Sequence, residues 1–108
     1  MVKQGDIIYL NFNPQSGYEQ KGKRPALVVS NDYFNQKNNL TLVCPITSSI
    51  PKTPLHVPLG DKLKTKGTIL CDQIKSLDIN ARKYKVVEKV SNKLLEEVLD
   101  VLQGIIEK

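Results

Sequence analysis

The sequence predicts an α+β fold: a mainly antiparallel, curled sheet or small barrel followed by one long C-terminal helix. Two observations carry this. From Asp6 to Val87, short apolar runs alternate with stretches of Gly, Pro, Asn and Asp, which is the punctuation of strands and turns. After Ser91 the apolar residues fall three and four apart, the spacing of one helix face. A chain of 108 residues, 40% of them apolar, has the size of a single core, so residues 1–108 are read as one domain.

Each element has a local reason. Asp6 to Phe12 is apolar at almost every position, a first strand buried largely on both faces. Asn13 to Gly17 is turn chemistry. A flexible loop then leads to a second strand at residues 25–30, where Pro25 fixes its own φ and pushes Arg24 into an extended conformation. Residues 31–39 are rich in turn formers and read as irregular, with room for one short helical turn. Leu40 to Ile46 is a third strand; Pro45 has no N–H to donate, so an edge or a bulge is expected there. Leu55 to Leu59 alternates weakly as a short strand, and Gly60 to Lys66 reads as a basic turn. Gly67 to Leu77 reads as one longer strand and Arg82 to Val87 as the last. Ser91 is a good N-cap for a helix whose stripe of Leu94, Leu95, Val98, Leu99, Val101, Leu102, Ile105 and Ile106 must pack on a core or a partner.

The charge is lopsided. Residues 1–90 carry 14 Lys and Arg against 7 Asp and Glu, whereas residues 91–108 carry 2 against 4, giving a net +5. The surplus gathers at Lys21-Lys23-Arg24, Lys62-Lys64-Lys66 and Arg82-Lys83-Lys85, which suits a polyanionic partner as well as a merely soluble basic surface. The longest apolar runs are too short to span a bilayer, and the N-terminus lacks a secretory h-region, so no membrane association and a cytoplasmic location are expected. Cys44 and Cys71 sit inside apolar runs without CxxC spacing and read as buried free thiols.

Most standard catalytic sites are missing from the sequence. It has no Gly-rich phosphate loop, no HExxH and no GxSxG. His56 is the single histidine, so a two-histidine ribonuclease mechanism is out of reach, and it reads as a strand or loop residue without a catalytic duty. The acidic residues are not spaced to hold a divalent cation, and no metal or other cofactor is expected. What remains is a phosphate site built from Arg24, at the start of one strand, and Thr47 with Ser48 and Ser49, at the end of the next. In an antiparallel pair those positions meet at one end of the sheet. RNA brings its own nucleophile, the 2′-OH, so positioning and charge stabilisation by an arginine and a hydroxyl suffice. Taken alone, the three hydroxyls read better as a plain strand exit. Glu19 reads either as a general base or as the ion-pair partner of Arg24.

Five blocks resemble the MazF/PemK toxins of toxin–antitoxin systems. They are Gly5-Asp6-Ile7-Ile8, Gly17-Tyr18-Glu19-Gln20 leading into Lys21-Gly22-Lys23-Arg24-Pro25, Val28-Val29-Ser30-Asn31-Asp32, Pro45-Ile46-Thr47-Ser48 and Asp72-Gln73-Ile74-Lys75-Ser76-Leu77. The resemblance runs through the whole chain in order. It implies an SH3-like, CcdB/PemK-type barrel with a C-terminal helix, assembled as a homodimer. It also implies a sequence-specific, metal-independent endoribonuclease that cuts single-stranded mRNA to 2′,3′-cyclic phosphate and 5′-OH ends. The implied partner is a cognate MazE-like antitoxin with an acidic, disordered tail. By the same resemblance Arg24 and Thr47 are catalytic, with Glu19 beside them. RNA is expected on Gln20, Lys21, Lys23, Ser48, Ser49, Gln73 and Lys75, and Tyr18 either stacks on a base or packs the loop. Residues 33–39 and 49–66 differ freely among relatives, so the target sequence does not carry over. Two alternatives stay open: a same-fold, non-enzymatic toxin that binds DNA gyrase, and a nucleic-acid-binding barrel without catalysis.

Overall fold

The computed structural model describes residues 1–14 and 17–108; the turn expected at residues 13–17 thus falls partly on Gln15 and Ser16, which lie outside the described residues. The strands are β1 (Asp6–Asn11), β2 (Lys23–Val28), β3 (Thr41–Thr47), β4 (His56–Pro58), β5 (Thr68–Leu70), β6 (Lys75–Leu77) and β7 (Lys85–Lys89). Two helices join them, α1 (Asp32–Lys37) and the C-terminal α2 (Asn92–Ile106). Among the described residues all ladders are antiparallel, in the order β4-β5-β3-β2-β1-β7, with β6 also on β3. No ladder among the described residues joins β4 to β7, so the sheet stays open and does not close into a barrel.

The period of two along each strand sorts the core into two clusters. Ile7, Leu27, Val29, Cys44 and Ile46 face one way, where Val98 and Leu102 of α2 cover them. Ile8, Leu10, Ala26, Val28 and Val43 face the other way, closed over by Val2, Phe12 and Ile79. The α2 stripe is therefore core at its centre, while Ile106 at its end is 75% exposed. Ser91 caps the helix as expected, accepting the Leu94 N–H at 3.1 Å. Among the described residues no helix is long and apolar enough to cross a membrane.

The stretch 31–39 holds the short helix for which the sequence left room: Asn31 caps it by accepting the Phe34 N–H at 2.8 Å, and buried Asn35 ties it to Ser30. Three expectations are corrected. The second strand starts earlier, at Lys23, so Arg24 lies inside β2 and pairs with Leu10 of β1. The last strand starts three residues later than Arg82, at Lys85. Pro45 is neither at an edge nor in a bulge. It pairs with Ala26 on one side and sits, on the other, where β3 changes partner from β6 to β5.

That change of partner also breaks the strand expected over residues 67–77. Ile46 pairs with Ile69, whereas Val43 pairs with Lys75. Three steps along β3 therefore face six along the opposing chain, and Cys71–Gln73 takes up the three surplus residues as a 3₁₀ turn. The turn buries Cys71 against Cys44, and that thiol contact together with burial pushes the Cys44 thiol far above its ordinary range. It also lifts Asp72 and Gln73 out of the ladder. The basic loop before it is anchored by Glu88 of β7, which accepts the amides of Lys64 (3.1 Å) and Thr65 (2.7 Å). Burial pushes the Glu88 carboxyl up, but these hydrogen bonds and the Thr65 hydroxyl hold it below the usual carboxylate range.

Candidate active site

Strand register brings the two central residues together. Ala26 pairs with Pro45 and Val28 with Val43, and the same register continued two residues outward sets Arg24 across from Thr47. Both then lie on one face of adjacent strands, where directly opposed residues are close enough to act on one group. Along that face the side chains change from Val28 and Val43, fully buried, to half-buried Arg24 and Thr47 at the strand ends. Lys75, opposite Val43 on β6, shares the face from the other side.

The loop 17–22 folds over this end of the sheet and is held by several polar contacts. The Lys75 ammonium lies 2.8 Å from the Glu19 carboxylate. Glu19 therefore pairs with Lys75. The Gln73 side chain accepts the Gln20 N–H at 2.9 Å and donates to the Tyr18 carbonyl at 3.4 Å. Gly22, with φ +75, supplies the left-handed turn that returns the chain to β2, and its N–H reaches the Asn13 side chain at 2.9 Å. Arg24 Nε donates to the Lys21 carbonyl at 3.1 Å. Among the described residues its two Nη groups have no hydrogen-bond partner, which leaves the fork of the guanidinium available to an anion.

A cavity of about 250 Å³ opens beside Thr47, walled by Tyr18, Gln20, Ser49, His56 and Gln73 among others. Tyr18 is wholly exposed, so it does not pack the loop. Thr47 Oγ1 accepts the Ser49 N–H at 3.5 Å, and the buried Thr68 hydroxyl donates to the Ser49 carbonyl at 2.7 Å. Ser48 and Ser49 are exposed at the same rim.

Glu19, Gln20, Arg24, Thr47, Ser48, Ser49, Gln73 and Lys75 thus gather at one end of the molecule, with Lys21 on the covering loop. Lys23 does not join them. It pairs with Asn11 on the other face and lines a second cavity, of about 740 Å³, together with Arg82, Lys83 and Lys85. His56, read from the sequence as idle, is in the Thr47 cavity: its Nε2 lies 3.2 Å from Asp72. The signal for that pair was the polar Asp72-Gln73 step interrupting an apolar run.

Known proteins resemble this chain over nearly its whole length. The family described as "PemK-like, MazF-like toxin of type II toxin-antitoxin system" matches residues 3–106. The endoribonuclease toxin ChpB of Escherichia coli strain K12 is 38% identical over 97% of this chain and 94% of its own. Endoribonuclease PemK of Escherichia coli is 35% identical over 97% and 82%. A crystal structure of MazF from Deinococcus radiodurans matches with a TM-score of 0.91 at 34% identity, covering 99% of this chain and 97% of that one. A MazE-MazF structure from the same organism matches with a TM-score of 0.84 at 35% identity, over 97% and 95%. A family match from residue 3 to residue 106, on a fold shared at this level, means that the chain belongs to the PemK-like, MazF-like toxins of type II toxin–antitoxin systems.

Proposed function

We propose that the protein is an endoribonuclease toxin that cuts single-stranded mRNA at specific sequences without a metal. The observation that carries this reading is the β2–β3 register, which continued two residues outward sets Arg24 across from Thr47, itself in the wall of a cavity of about 250 Å³. Relatives named endoribonucleases, ChpB and PemK among them, support the reaction class. In the proposed step the 2′-OH gives up its proton and its oxygen attacks phosphorus as the P–O5′ bond breaks, while the leaving 5′-oxygen takes up a proton from water, yielding a 2′,3′-cyclic phosphate and a 5′-OH. Negative charge grows on the non-bridging oxygens, where the Arg24 fork binds it and the Thr47 hydroxyl donates a hydrogen bond. Gln20, Lys21, Ser48, Ser49, Gln73 and Lys75 line the path of the strand, and exposed Tyr18 offers a stacking face. Lys23 sits with the basic residues of the second cavity, where flanking phosphates would run.

The same reading includes a homodimer, a cytoplasmic location and a cognate antitoxin. The net charge of +5 attracts an acidic, disordered antitoxin tail to the surface that binds RNA. A MazE-MazF assembly among the similar structures supports a partner of this kind.

The test is incubation with a long single-stranded RNA in EDTA, with end-group analysis of the fragments. Cleavage leaving cyclic phosphate and 5′-OH ends supports the reading. Intact RNA beside stalled gyrase would point to a gyrase-binding toxin, and retention without cutting to a non-catalytic barrel. Thr47→Ala should lower kcat by about 10²- to 10³-fold with little change in RNA binding, since the hydroxyl acts on charge that develops in the transition state. Glu19 is assigned the 2′ proton, so Glu19→Gln is expected to erase the acid limb of the pH–rate profile. A profile of unchanged shape would leave that carboxylate a structural task, with Lys75 among its partners.

A further inference from the structure

We propose that His56 is a positioning residue for the Thr47 cavity, acting as a neutral bridge between the loop after β3 and the 3₁₀ turn. This rests on the endoribonuclease reading above. Both ring nitrogens are engaged. Nδ1 accepts the Lys52 N–H at 3.3 Å, so in the neutral ring the proton sits on Nε2, which faces Asp72 Oδ1 at 3.2 Å. With its side chain only 12% exposed and both nitrogens used, the ring has no free atom to offer as a proton shuttle. Its chemistry is to fix distance.

The two segments it joins both line the cavity beside Thr47. Ser49 and Lys52 belong to the loop 48–53, and the Ser49 N–H is the group that Thr47 Oγ1 accepts. Asp72 is followed by Gln73, which holds the covering loop through Gln20 and Tyr18. Thr68 anchors the start of loop 48–53 through the Ser49 carbonyl, and His56 anchors its far part through the Lys52 amide. Without the imidazole, the stretch carrying Ser49, Ile50 and Lys52 loses its tie to Asp72, while Thr53 stays held by the His56 main-chain N–H at 3.1 Å. The hydroxyl of Thr47 and the base-facing rim then lose their common reference.

The experiment compares cleavage of a preferred RNA with that of the same RNA altered by one base in the recognised sequence. His56→Phe, which keeps the shape and removes both contacts, is expected to lower kcat about 10- to 100-fold and to shrink the preference ratio about tenfold. Asp72→Ala should reproduce this, and the double variant should be no worse than either single one, because both remove the same bridge. Asp72→Asn, which still accepts the Nε2–H, should stay near wild type. A charged histidine–aspartate pair would instead be broken by that change. Independently of RNA, the imidazole ¹⁵N shifts of the wild type should report one tautomer, protonated at Nε2.

The proposal is overturned by a His56→Phe enzyme with wild-type rate and preference, by Asp72→Asn as damaging as Asp72→Ala, or by a ring protonated at Nδ1. A wild type that leaves RNA whole in EDTA sinks the endoribonuclease reading and this proposal with it. A cutting wild type indifferent to His56 sinks this proposal alone.

Discussion

Arg24→Ala is expected to lower RNA cleavage by about 10³-fold or more, with the fold intact. The expectation follows from where β2 puts the residue. Its neighbours on the same face, Ala26 and Val28, are fully buried, while Arg24 is half-buried where the core ends. Its one side-chain hydrogen bond among the described residues is from Nε–H to the Lys21 carbonyl, and losing a bond of this type costs about 1 kcal/mol. The variant should therefore melt close to wild type. The function asked of the side chain is larger: a bidentate, permanently charged donor aimed at a phosphate. Arg24→Lys keeps the charge without the fork, so it should recover only part of the rate. Single-turnover cleavage in EDTA beside a thermal melt reads both quantities. An Arg24→Ala protein that folds and cuts at close to the wild-type rate would remove the guanidinium from the mechanism.

Much of this site could be read from the sequence because it depends on local order. In an antiparallel pair the start of one strand and the end of the next can meet, which is how the residues themselves pair Arg24 with Thr47, and the MazF/PemK resemblance adds their roles. The C-terminal helix was equally plain, since Ser91 and the apolar stripe are local signals. The 3₁₀ turn was not legible. It exists because β3 pairs with β5 and β6 in registers three residues apart, a fact about tertiary pairing that no run of apolar residues reveals. The role of His56 was lost with it. Its partner Asp72 lies on that turn, and a strand running straight through residue 72 would have left the pair unmade. Pro45 misled for the same reason: a proline in a central strand is tolerated here at the junction between two partners, which only the finished sheet defines.

Gly67→Ala should destabilise the protein far more than Gly60→Ala, although both glycines have positive φ, +126 and +82. At Gly60 an added Cβ meets open space, so the cost is conformational alone, about 1 kcal/mol. At Gly67 the Cβ would overlap the Thr47 carbonyl and crowd the Ser48 backbone, neither of which is a flexible side chain that can swing away. The chain there is also pinned. The Gly67 carbonyl accepts the Leu59 N–H at 2.9 Å, and the next residue, Thr68, pairs with Thr47 in the β3–β5 ladder. Something in that ladder must shift, at a cost on the order of 3 kcal/mol or more. For a domain of this size that corresponds to a loss of about 12 °C or more in Tm. Because the strand that shifts carries Thr47, the folded fraction of Gly67→Ala at low temperature should also cut RNA poorly. Equal melting temperatures for the two variants would show that Gly67 serves only its backbone angle. A Gly67→Ala protein that is unstable yet fully active when folded would show that Thr47 does not depend on this close approach.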